Sequence, residues 1–193
     1  MSVLVIGATG TIGSAVAGAL RARGHEVVAG SRSTGLIMDD APTLERALTS
    51  IPGLTDVVCC AAGGALLPLT APGPFLPGIA AKLLGQVELT RLAARHLPDG
   101  GSVTLTSGRF EAPMSGGAFG ALTNAGLEAF VAHAAPELPR GLRVNCVSPG
   151  WVRETLVRAG HPPDTTEGTP AAEVAAAFVA CVEGSANGIR VPV

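Results

Sequence analysis

The segment "SVLVIGATGTIGSAVAGALRARG" (residues 2–24) joins a predicted strand to a predicted helix through a glycine-rich turn. Residues 2–6 form a short apolar run rich in β-branched side chains, which is typical of a strand buried on both faces. Residues 11–23 carry apolar side chains at helical spacing, and the glycine that follows is a common helix end. This order of elements is the first unit of a parallel α/β sheet.

The remaining sequence continues the alternation of strands and helices. Further strands are predicted at residues 25–30, 35–38, 55–64, 101–108, 142–150 and 188–193. Further helices are predicted at residues 43–51, 74–97, 117–138 and 170–184, with a loop at 154–169. The pattern predicts one α/β domain over residues 1–193, with a single Rossmann-like, doubly wound parallel sheet of about seven strands and helices on both faces.

The composition excludes several classes of function. The chain has 193 residues, of which 15% are charged and 3% aromatic, and a net charge of −2. It therefore lacks the basic and aromatic surface that binds nucleic acid, and no apolar run reaches the roughly 20 residues that span a membrane. The N-terminus lacks a signal-peptide pattern, so we expect a cytoplasmic protein. Buried reduced thiols and no metal site are expected from the spacing of Cys59, Cys60, Cys146 and Cys181.

Three glycines follow the first predicted strand in "GATGTIG" (residues 7–13). Such a loop lets the backbone approach a pyrophosphate, whose charge is met by unpaired N–H groups at the helix start. We therefore predict a dinucleotide-binding loop, while a plain tight turn remains the alternative. The predicted contacts are Gly7, Thr9, Gly10, Thr11, Ile12 and Gly13.

The second predicted strand ends in "VVAGSRS" (residues 27–33). An acidic residue at this place would bind the ribose 2′-hydroxyl of NAD. This chain has Ser31, Arg32 and Ser33 instead, which suit a 2′-phosphate and favour NADP(H) over NAD(H). The alternative for Arg32 is an ordinary solvated charge. Asp39 either accepts a hydrogen bond from the adenine amino group or caps the next helix.

Three segments together resemble the short-chain dehydrogenase/reductase family over nearly the whole chain. "GATGTIG" is similar to its G-x-x-G-x-x-G loop, "CAAG" (60–63) stands in the place of N-N-A-G, and "RVNCVSPGWV" (143–152) is similar to R-V-N-x-V-x-P-G. The resemblance implies further cofactor contacts at Ala61, Ala62, Gly63, Pro149, Gly150 and Val152. It also implies a homodimer or homotetramer, in which the long helix and the helix at 118–136 pack against their copies.

The chemistry of that family uses a serine, a tyrosine, a lysine and an asparagine. The resemblance places Ser107 at the serine position, Gly120 at the tyrosine position and Asn124 at the lysine position. "KLLGQ" (82–86) resembles N-x-x-G-x, which puts Lys82 at the asparagine position. We hypothesise that Lys82 binds the nicotinamide ribose or acts on the substrate oxygen, and that Asn124 fixes it or a water. The alternative is a surface lysine that does neither.

Because the chain has no tyrosine, carbonyl reduction needs another proton donor. Glu111 would serve if buried, and His161 lies in the segment expected over the substrate, but both residue types are usually solvated in loops. Arginine hardly ever gives up its proton, which weighs against Arg109. The remaining candidates are Thr106 as a substitute for Ser107, and His96 and His133, which are expected away from the site.

Two functions remain open. The first is an NADP(H)-dependent oxidoreductase with an altered acid/base set, acting on a small carbonyl, enone or quinone. The second is a catalytically inactive NADP(H)-binding sensor or scaffold, which Gly120 favours because it removes the side chain that closes on the substrate. The retained glycine loop and Pro-Gly segment favour an enzyme. An epimerase or lyase has no support in the sequence, and residues 153–169 are expected to shape the substrate pocket.

Overall fold

The computed structural model describes residues 1–61, 66–72 and 76–193. In these ranges six strands form one fully parallel sheet in the order β2-β1-β3-β4-β5-β6. The strands are β1 Ser2–Ile6, β2 Glu26–Gly30, β3 Leu54–Cys59, β4 Ser102–Thr106, β5 Arg143–Ser148 and β6 Arg190–Pro192. The predicted fold class is confirmed. The strand order reverses between β1 and β3, which opens a crevice at the carboxyl ends of these strands.

Helices cover both faces of the sheet. They are α1 Thr11–Ala22, α2 Ala41–Ser50, α3 Leu76–Ile79, α4 Gly85–His96, α5 Ala118–Ala134, α6 Arg153–Arg158 and α7 Ala171–Glu183. α1 and α7 pack together on one face, while α2, α4 and α5 cover the other. No helix within the described ranges is long and apolar enough to cross a bilayer.

Each face of the sheet has its own apolar core. Leu89, Leu105 and Leu127 are fully buried between the sheet, α4 and α5. Leu20 and Phe178 are fully buried under α1 and α7 on the opposite face. β1 lies between the two cores and is buried at every residue, as its continuous apolar sequence predicts.

The strand predicted at residues 35–38 is absent, so that prediction was wrong. Gly35 has a φ of 79° and ends a 3₁₀ turn at Arg32–Thr34. Leu36 and Met38 are buried in the core beside α2 and α4, while Ile37 between them is 43% exposed. The apolar pattern therefore comes from a loop anchored by two side chains, and the sheet has six strands instead of about seven.

Two other predicted segments differ from the structure. The first residues of the predicted loop at 154–169 are helical, because they belong to the short helix α6. Val152, which has extended backbone geometry, directly precedes this helix. The predicted long helix at 74–97 contains five π-helical residues, Ala80–Leu84, between α3 and α4. A π-helical turn often marks a functional site. This one contains Lys82.

Candidate functional site

The turn between β1 and α1 contains glycines at which any side chain would clash with the backbone. Gly7 has a φ of 81°, and a Cβ there would stand 2.7 Å from the backbone N of Ala61. A Cβ on Gly13 would overlap the carbonyl oxygen of Gly7. Only glycine permits this close passage of backbone over backbone.

The same turn places unpaired N–H groups at the start of α1. Gly10 precedes the helix, and no side chain caps it. The first helical hydrogen bond runs from the Ser14 N–H to the Gly10 carbonyl at 2.9 Å. The N–H groups of Thr11, Ile12 and Gly13 therefore have no helical partner, and the helix dipole adds partial positive charge. Such a terminus binds phosphate.

A cleft of about 540 Å³, which we name the glycine-loop cleft, opens beside this turn. It brings together seven of the predicted cofactor residues: Gly7, Thr9, Gly10, Ser31, Arg32, Asp39 and Ala61. Thr11, Ile12, Gly13 and Ser33 adjoin these residues along the chain. Pro149, Gly150 and Val152 follow β5 on the other side of β4. The predicted contacts Ala62 and Gly63 lie outside the described residues.

The end of β2 presents hydroxyl and guanidinium groups to this cleft. The Ser31 N–H donates to Thr34 Oγ1 at 2.9 Å, which fixes the 3₁₀ turn that follows. The hydroxyls of Ser31 and Ser33 are 2.7 Å apart. The exposed Arg32 has no carboxylate within 4 Å in the described part of the chain. The cleft thus ends in an uncompensated cation beside two hydroxyls.

Lys82, the only lysine of the chain, lies in the π-helical turn. It is 8% exposed, so it is not the surface lysine of the alternative hypothesis. No carboxylate of the described ranges lies within 4 Å of its ammonium. Burial lowers the pKa of the Lys82 ammonium, and the nearby Cys146 offsets part of that shift. A buried amine of this kind exchanges a proton more readily than a solvated lysine.

The side-chain amide of Gln86 ties the π-helical turn to the end of β4. Its Nε2 donates to the Lys82 carbonyl at 2.6 Å and to the Thr106 carbonyl at 3.2 Å. Its Oε1 accepts from the Thr106 N–H at 2.9 Å. Gln86 is completely buried. It therefore fixes the position of Lys82 relative to Ser107, the next residue after β4.

Asn124 lies on α5, against the backbone that follows β4. A Cβ on Gly108 would stand 3.1 Å from Asn124 Nδ2. Asn124 is 6% exposed, and its Oδ1 is buried without a hydrogen-bond partner. Buried polar atoms in native proteins are almost always paired. This oxygen is therefore an acceptor available to the donor group of a ligand.

Ser107 is bonded to a carboxylate. Its hydroxyl donates to Glu128 Oε1 at 2.8 Å, and the Ser148 hydroxyl donates to the same oxygen at 2.8 Å. Glu128 Oε2 lies 3.5 Å from Arg190 Nη1. The network joins the ends of β4 and β5 to α5, and it holds the Ser107 hydroxyl toward Glu128.

The place of a side chain at position 120 is filled by Phe110. A Cβ on Gly120 would stand 3.0 Å from Phe110 Cζ. The Phe110 ring also lies 6.3 Å from the Trp151 ring, centroid to centroid, at a tilt of 59°. The loop after β4 thus places an apolar ring at the start of α5.

A second cavity, of about 510 Å³, lies between this loop, α5 and β6. We name it the α5 cavity. Its walls include the apolar residues Phe110, Pro113, Met114, Ala118, Ala121 and Ala125 and the polar residues Arg109, Glu111, Asn124, Glu128 and Arg190. It shares no residue with the glycine-loop cleft among those described.

Comparisons with known proteins place the chain among its relatives. A family model described as enoyl-(acyl carrier protein) reductase matches residues 53–179, and one described as the NAD dependent epimerase/dehydratase family matches residues 3–99. The protein lin1944 from Listeria innocua is 34% identical, with a TM-score of 0.90 over 100% of this chain and 99% of its own. A small-chain dehydrogenase solved in complex with NADPH is 25% identical, with a TM-score of 0.86 over 100% of this chain and 96% of its own. No match was found among the curated proteins.

The chain belongs to the short-chain dehydrogenase/reductase family. The predicted resemblance is confirmed, and with it the expectation that the protein is related to oxidoreductases. The family tyrosine and lysine positions, Gly120 and Asn124, adjoin the Phe110 ring and the Gly108 backbone.

The described residues of this family member fit a dinucleotide. A Cβ at Gly7 or Gly13 would clash with backbone atoms, so the tight turn that leaves N–H groups free at the start of α1 requires glycine. Asn124 Oδ1 is buried without a partner, and a hydroxyl donor such as a ribose hydroxyl would satisfy it. The cofactor residues would be those of the glycine-loop cleft.

The remaining predicted candidates have partners elsewhere or line a different cavity. Thr106 Oγ1 donates to the Cys59 carbonyl at 2.5 Å. His161 Nδ1 lies 3.6 Å from Glu167, outside both cavities. The other three candidates lie at the surface. His96 is bonded to Glu45, His133 is exposed near the end of α5, and Glu111 is exposed at the α5 cavity.

Sequence reasoning missed three residues of the site: Gln86, Glu128 and Phe110. Glu128 follows Asn124 by four residues on α5, so helical spacing would place both on one face. Gln86 likewise follows Lys82 by four residues on a predicted helix. Phe110 carried no such signal, because its contact with Gly120 depends on how the loop after β4 folds.

Proposed function

We propose that the protein is an NADP(H)-dependent oxidoreductase of the short-chain type with an altered acid/base set, acting on a small carbonyl, enone or quinone. The observation that supports this proposal is the glycine-loop cleft. Beside it, the backbone leaves no room for a Cβ at Gly7, and the first N–H groups of α1 have no helical partner. A protein that had lost its nucleotide would have no need of these glycines.

The end of β2 supports NADP(H) over NAD(H). A 2′-phosphate beside Ser31 would accept hydrogen bonds from the serine hydroxyls and from the unpaired Arg32. NAD(H), with a hydroxyl at that place, leaves the Arg32 charge without a partner.

The Arg32→Ala variant should therefore discriminate less between the two cofactors. We expect the dissociation constant of NADPH to rise about 10-fold to 100-fold, since a hydrogen bond to a charged group contributes about 1.5–3 kcal/mol. That of NADH should change by less than about threefold. Fluorescence titration of both cofactors measures this, with Arg46→Ala, an exposed arginine on α2, as the matched control. Equal losses for NADPH and NADH would contradict the assignment.

Lys82 and Asn124 take the roles of the missing tyrosine and lysine in this proposal. When bound, NADPH supplies a hydride to the carbonyl carbon, and one proton added to the oxygen completes the alcohol. The Lys82 ammonium, whose pKa burial lowers, delivers that proton at Nζ. Asn124 Oδ1 accepts from a ribose or product hydroxyl. The buried position of both side chains excludes water from competing for these bonds.

A catalytically inactive NADP(H)-binding sensor or scaffold is the second candidate. One observation favours it: the Phe110 ring fills the space next to Gly120. NADPH consumption with benzoylformate, cyclohexenone and menadione separates the two candidates. Turnover of any of these substrates supports the enzyme. Tight NADPH binding with no turnover of any of the three supports the sensor. If neither NADPH nor NADH raises the melting temperature at saturation, both candidates fail.

We also propose a homo-oligomer that is assembled through α5. The exposed side of this helix is apolar, with Leu122 59% exposed and Ala129 and Ala132 exposed beside it. A helix that is apolar on all sides is normally buried on all sides. A second copy of the same helix, packed closely through alanines, would cover it.

The Leu122→Glu variant should separate the subunits. We expect wild-type protein to have the light-scattering mass of a dimer or tetramer, and the variant that of a monomer or a smaller assembly. Leu69→Glu, which changes a 75% exposed leucine away from α5, should keep the wild-type mass. A monomeric wild-type protein would contradict the proposal.

The cytoplasm remains our proposal for the location of the protein. All four cysteines are free thiols, as is common where glutathione and thioredoxin keep proteins reduced. Cell fractionation with an antibody to the protein tests this.

A further inference from the structure

The α5 cavity contains a cation that is already held in place. A Cβ on Gly150 would stand 3.7 Å from Arg109 Nη2, so the guanidinium lies over the Pro149–Gly150 turn. The Arg109 backbone N–H donates to the Pro149 carbonyl at 2.9 Å, which fixes the backbone of this residue. Its side-chain Nη2 donates to the backbone oxygen of Val193, the last residue of the sequence, at 3.2 Å, which holds the guanidinium beside the Pro149–Gly150 turn.

No aspartate or glutamate side chain lies within 4 Å of the Arg109 guanidinium among the described residues. Glu128, the carboxylate on the α5 wall, is already bonded to two serine hydroxyls and lies 3.5 Å from Arg190. Glu111 is exposed to solvent and more than 4 Å from any basic group of the described chain. The guanidinium therefore keeps donors that a carboxylate would accept, and Arg presents them in the forked geometry that carboxylates match.

A second residue that lines the cavity carries an unpaired acceptor. Asn124 Oδ1 is buried without a partner, and Asn124 lines the α5 cavity. A hydroxyl group of a ligand in the cavity would donate to it. The cavity wall also includes the apolar residues Phe110, Met114 and Ala121. The cavity thus offers a carboxylate partner, a hydroxyl partner and an apolar surface to one ligand.

We propose that the α5 cavity is the substrate pocket and that the substrate is a small oxo acid, reduced to the corresponding hydroxy acid. This substrate class rests on the oxidoreductase proposed above. The reaction balances as oxo acid, NADPH and one proton giving hydroxy acid and NADP⁺. Arg109 binds the carboxylate, and Asn124 accepts a hydrogen bond from the hydroxyl of the product.

Mandelate and its methyl ester test the carboxylate site without cofactor. Both carry a hydroxyl and an aromatic body, and only mandelate carries a negative charge. The sole tryptophan, Trp151, lies 6.3 Å from the Phe110 ring of the cavity wall and reports binding by its fluorescence. We expect wild-type protein to bind mandelate at least about 10-fold more tightly than the ester. Equal affinities would overturn the proposal.

The Arg109→Gln variant should remove this preference. The residue is exposed and its substitution leaves the core unchanged, and the melting temperature verifies folding. We expect mandelate and the ester to bind the variant with similar affinities. Arg158→Gln, an exposed arginine on α6 outside the cavity, should keep the wild-type ratio. An unchanged ratio in Arg109→Gln would overturn the proposal.

The Asn124→Leu variant tests the hydroxyl site separately. Phenylacetate resembles mandelate but lacks the hydroxyl. We expect the variant to lose affinity for mandelate by about 10-fold and to bind phenylacetate as the wild type does. A parallel loss for both acids would assign Asn124 to packing alone and would overturn its role.

The failure of this inference is distinguishable from failure of the oxidoreductase proposal. Binding of mandelate through Arg109, with no binding of NADPH, would leave an acid site and reject the oxidoreductase. Binding of NADPH, with turnover of menadione but no preference for mandelate over its ester, would keep the oxidoreductase and reject the oxo acid. NADPH-dependent reduction of benzoylformate, lost in Arg109→Gln through a rise in KM, supports both.

Discussion

The Lys82→Met variant should lose turnover by about 10²–10⁴-fold, the usual contribution of a positioned acid or base. Methionine has nearly the length of lysine and suits a site that is 8% exposed, but it carries no proton to transfer. The dissociation constant of NADPH should change by less than about tenfold, because Lys82 is not among the described residues that line the glycine-loop cleft. NADPH consumption and fluorescence titration measure the two quantities.

The Lys82→Arg variant is the matched control. It keeps the positive charge and removes the transferable proton, since arginine stays protonated in proteins. Turnover lost in both variants supports proton donation, whereas turnover kept in Lys82→Arg would show that the charge alone is needed. Wild-type turnover in Lys82→Met would end the proposed role.

The Lys82→Met variant should be more stable than the wild type at neutral pH. Burial lowers the folded pKa of Lys82 below its ordinary value of 10.5, so the unfolded chain binds the proton more tightly. The free energy of unfolding of the wild type therefore rises with pH between the folded pKa and 10.5, and Lys82→Met removes this dependence. We expect its melting temperature at neutral pH to be higher by roughly 2–8 °C.

A single lysine makes this pKa directly measurable. Lysine labelled with ¹³C gives one side-chain resonance, whose pH titration reports Lys82 without assignment. We expect a midpoint below 10.5 in the folded protein and a return to 10.5 in denaturant. A midpoint at 10.5 or above in the folded protein would contradict the buried site.

The Gln86→Leu variant should be destabilised by about 3–5 kcal/mol, the largest stability effect we expect. Three buried backbone groups lose their partner: the Lys82 carbonyl, the Thr106 carbonyl and the Thr106 N–H. Leucine has a similar volume and leaves no large cavity, so the loss measures these bonds. Urea unfolding gives the change in free energy.

Two matched variants accompany this measurement. Gln86→Glu keeps the acceptor for the Thr106 N–H, but it buries a carboxylate against two carbonyl oxygens, so it should be at least as destabilised as Gln86→Leu. Thr90→Val removes one bond to a helical carbonyl in the same buried layer and should cost about 1 kcal/mol or less. A loss in Gln86→Leu no larger than that in Thr90→Val would show that the amide bridge contributes little.

Local sequence signals predicted the parts of the site that depend on one turn. The apolar run of β1 and the spacing of its glycines gave the β1–α1 turn, since strand, turn and helix follow one another in the chain. Ser31 and Arg32 were placed in the cleft for the same reason: they directly follow β2. The hypothesis that lysine and asparagine have exchanged places required the family resemblance, because Lys82 and Asn124 lie on different helical segments.

Contacts between distant segments were beyond sequence reasoning. An apolar pair such as Leu36 and Met38 suits an edge strand as well as a buried loop, and only the neighbouring α2 and α4 decide between them. Ser107 was assigned from its position after β4, but its hydroxyl direction depends on Glu128 and Ser148, which come from two other elements. Pairings of this kind arise from tertiary packing and leave no periodic signal in the chain.

The Phe110 ring beside Gly120 constrains how this lineage can change. Any side chain at position 120 would place its Cβ 3.0 Å from Phe110 Cζ, so the Phe110 ring would have to shift to accommodate it. A smaller residue at position 110 would remove this contact, so we expect the effects of substitutions at positions 110 and 120 to be non-additive.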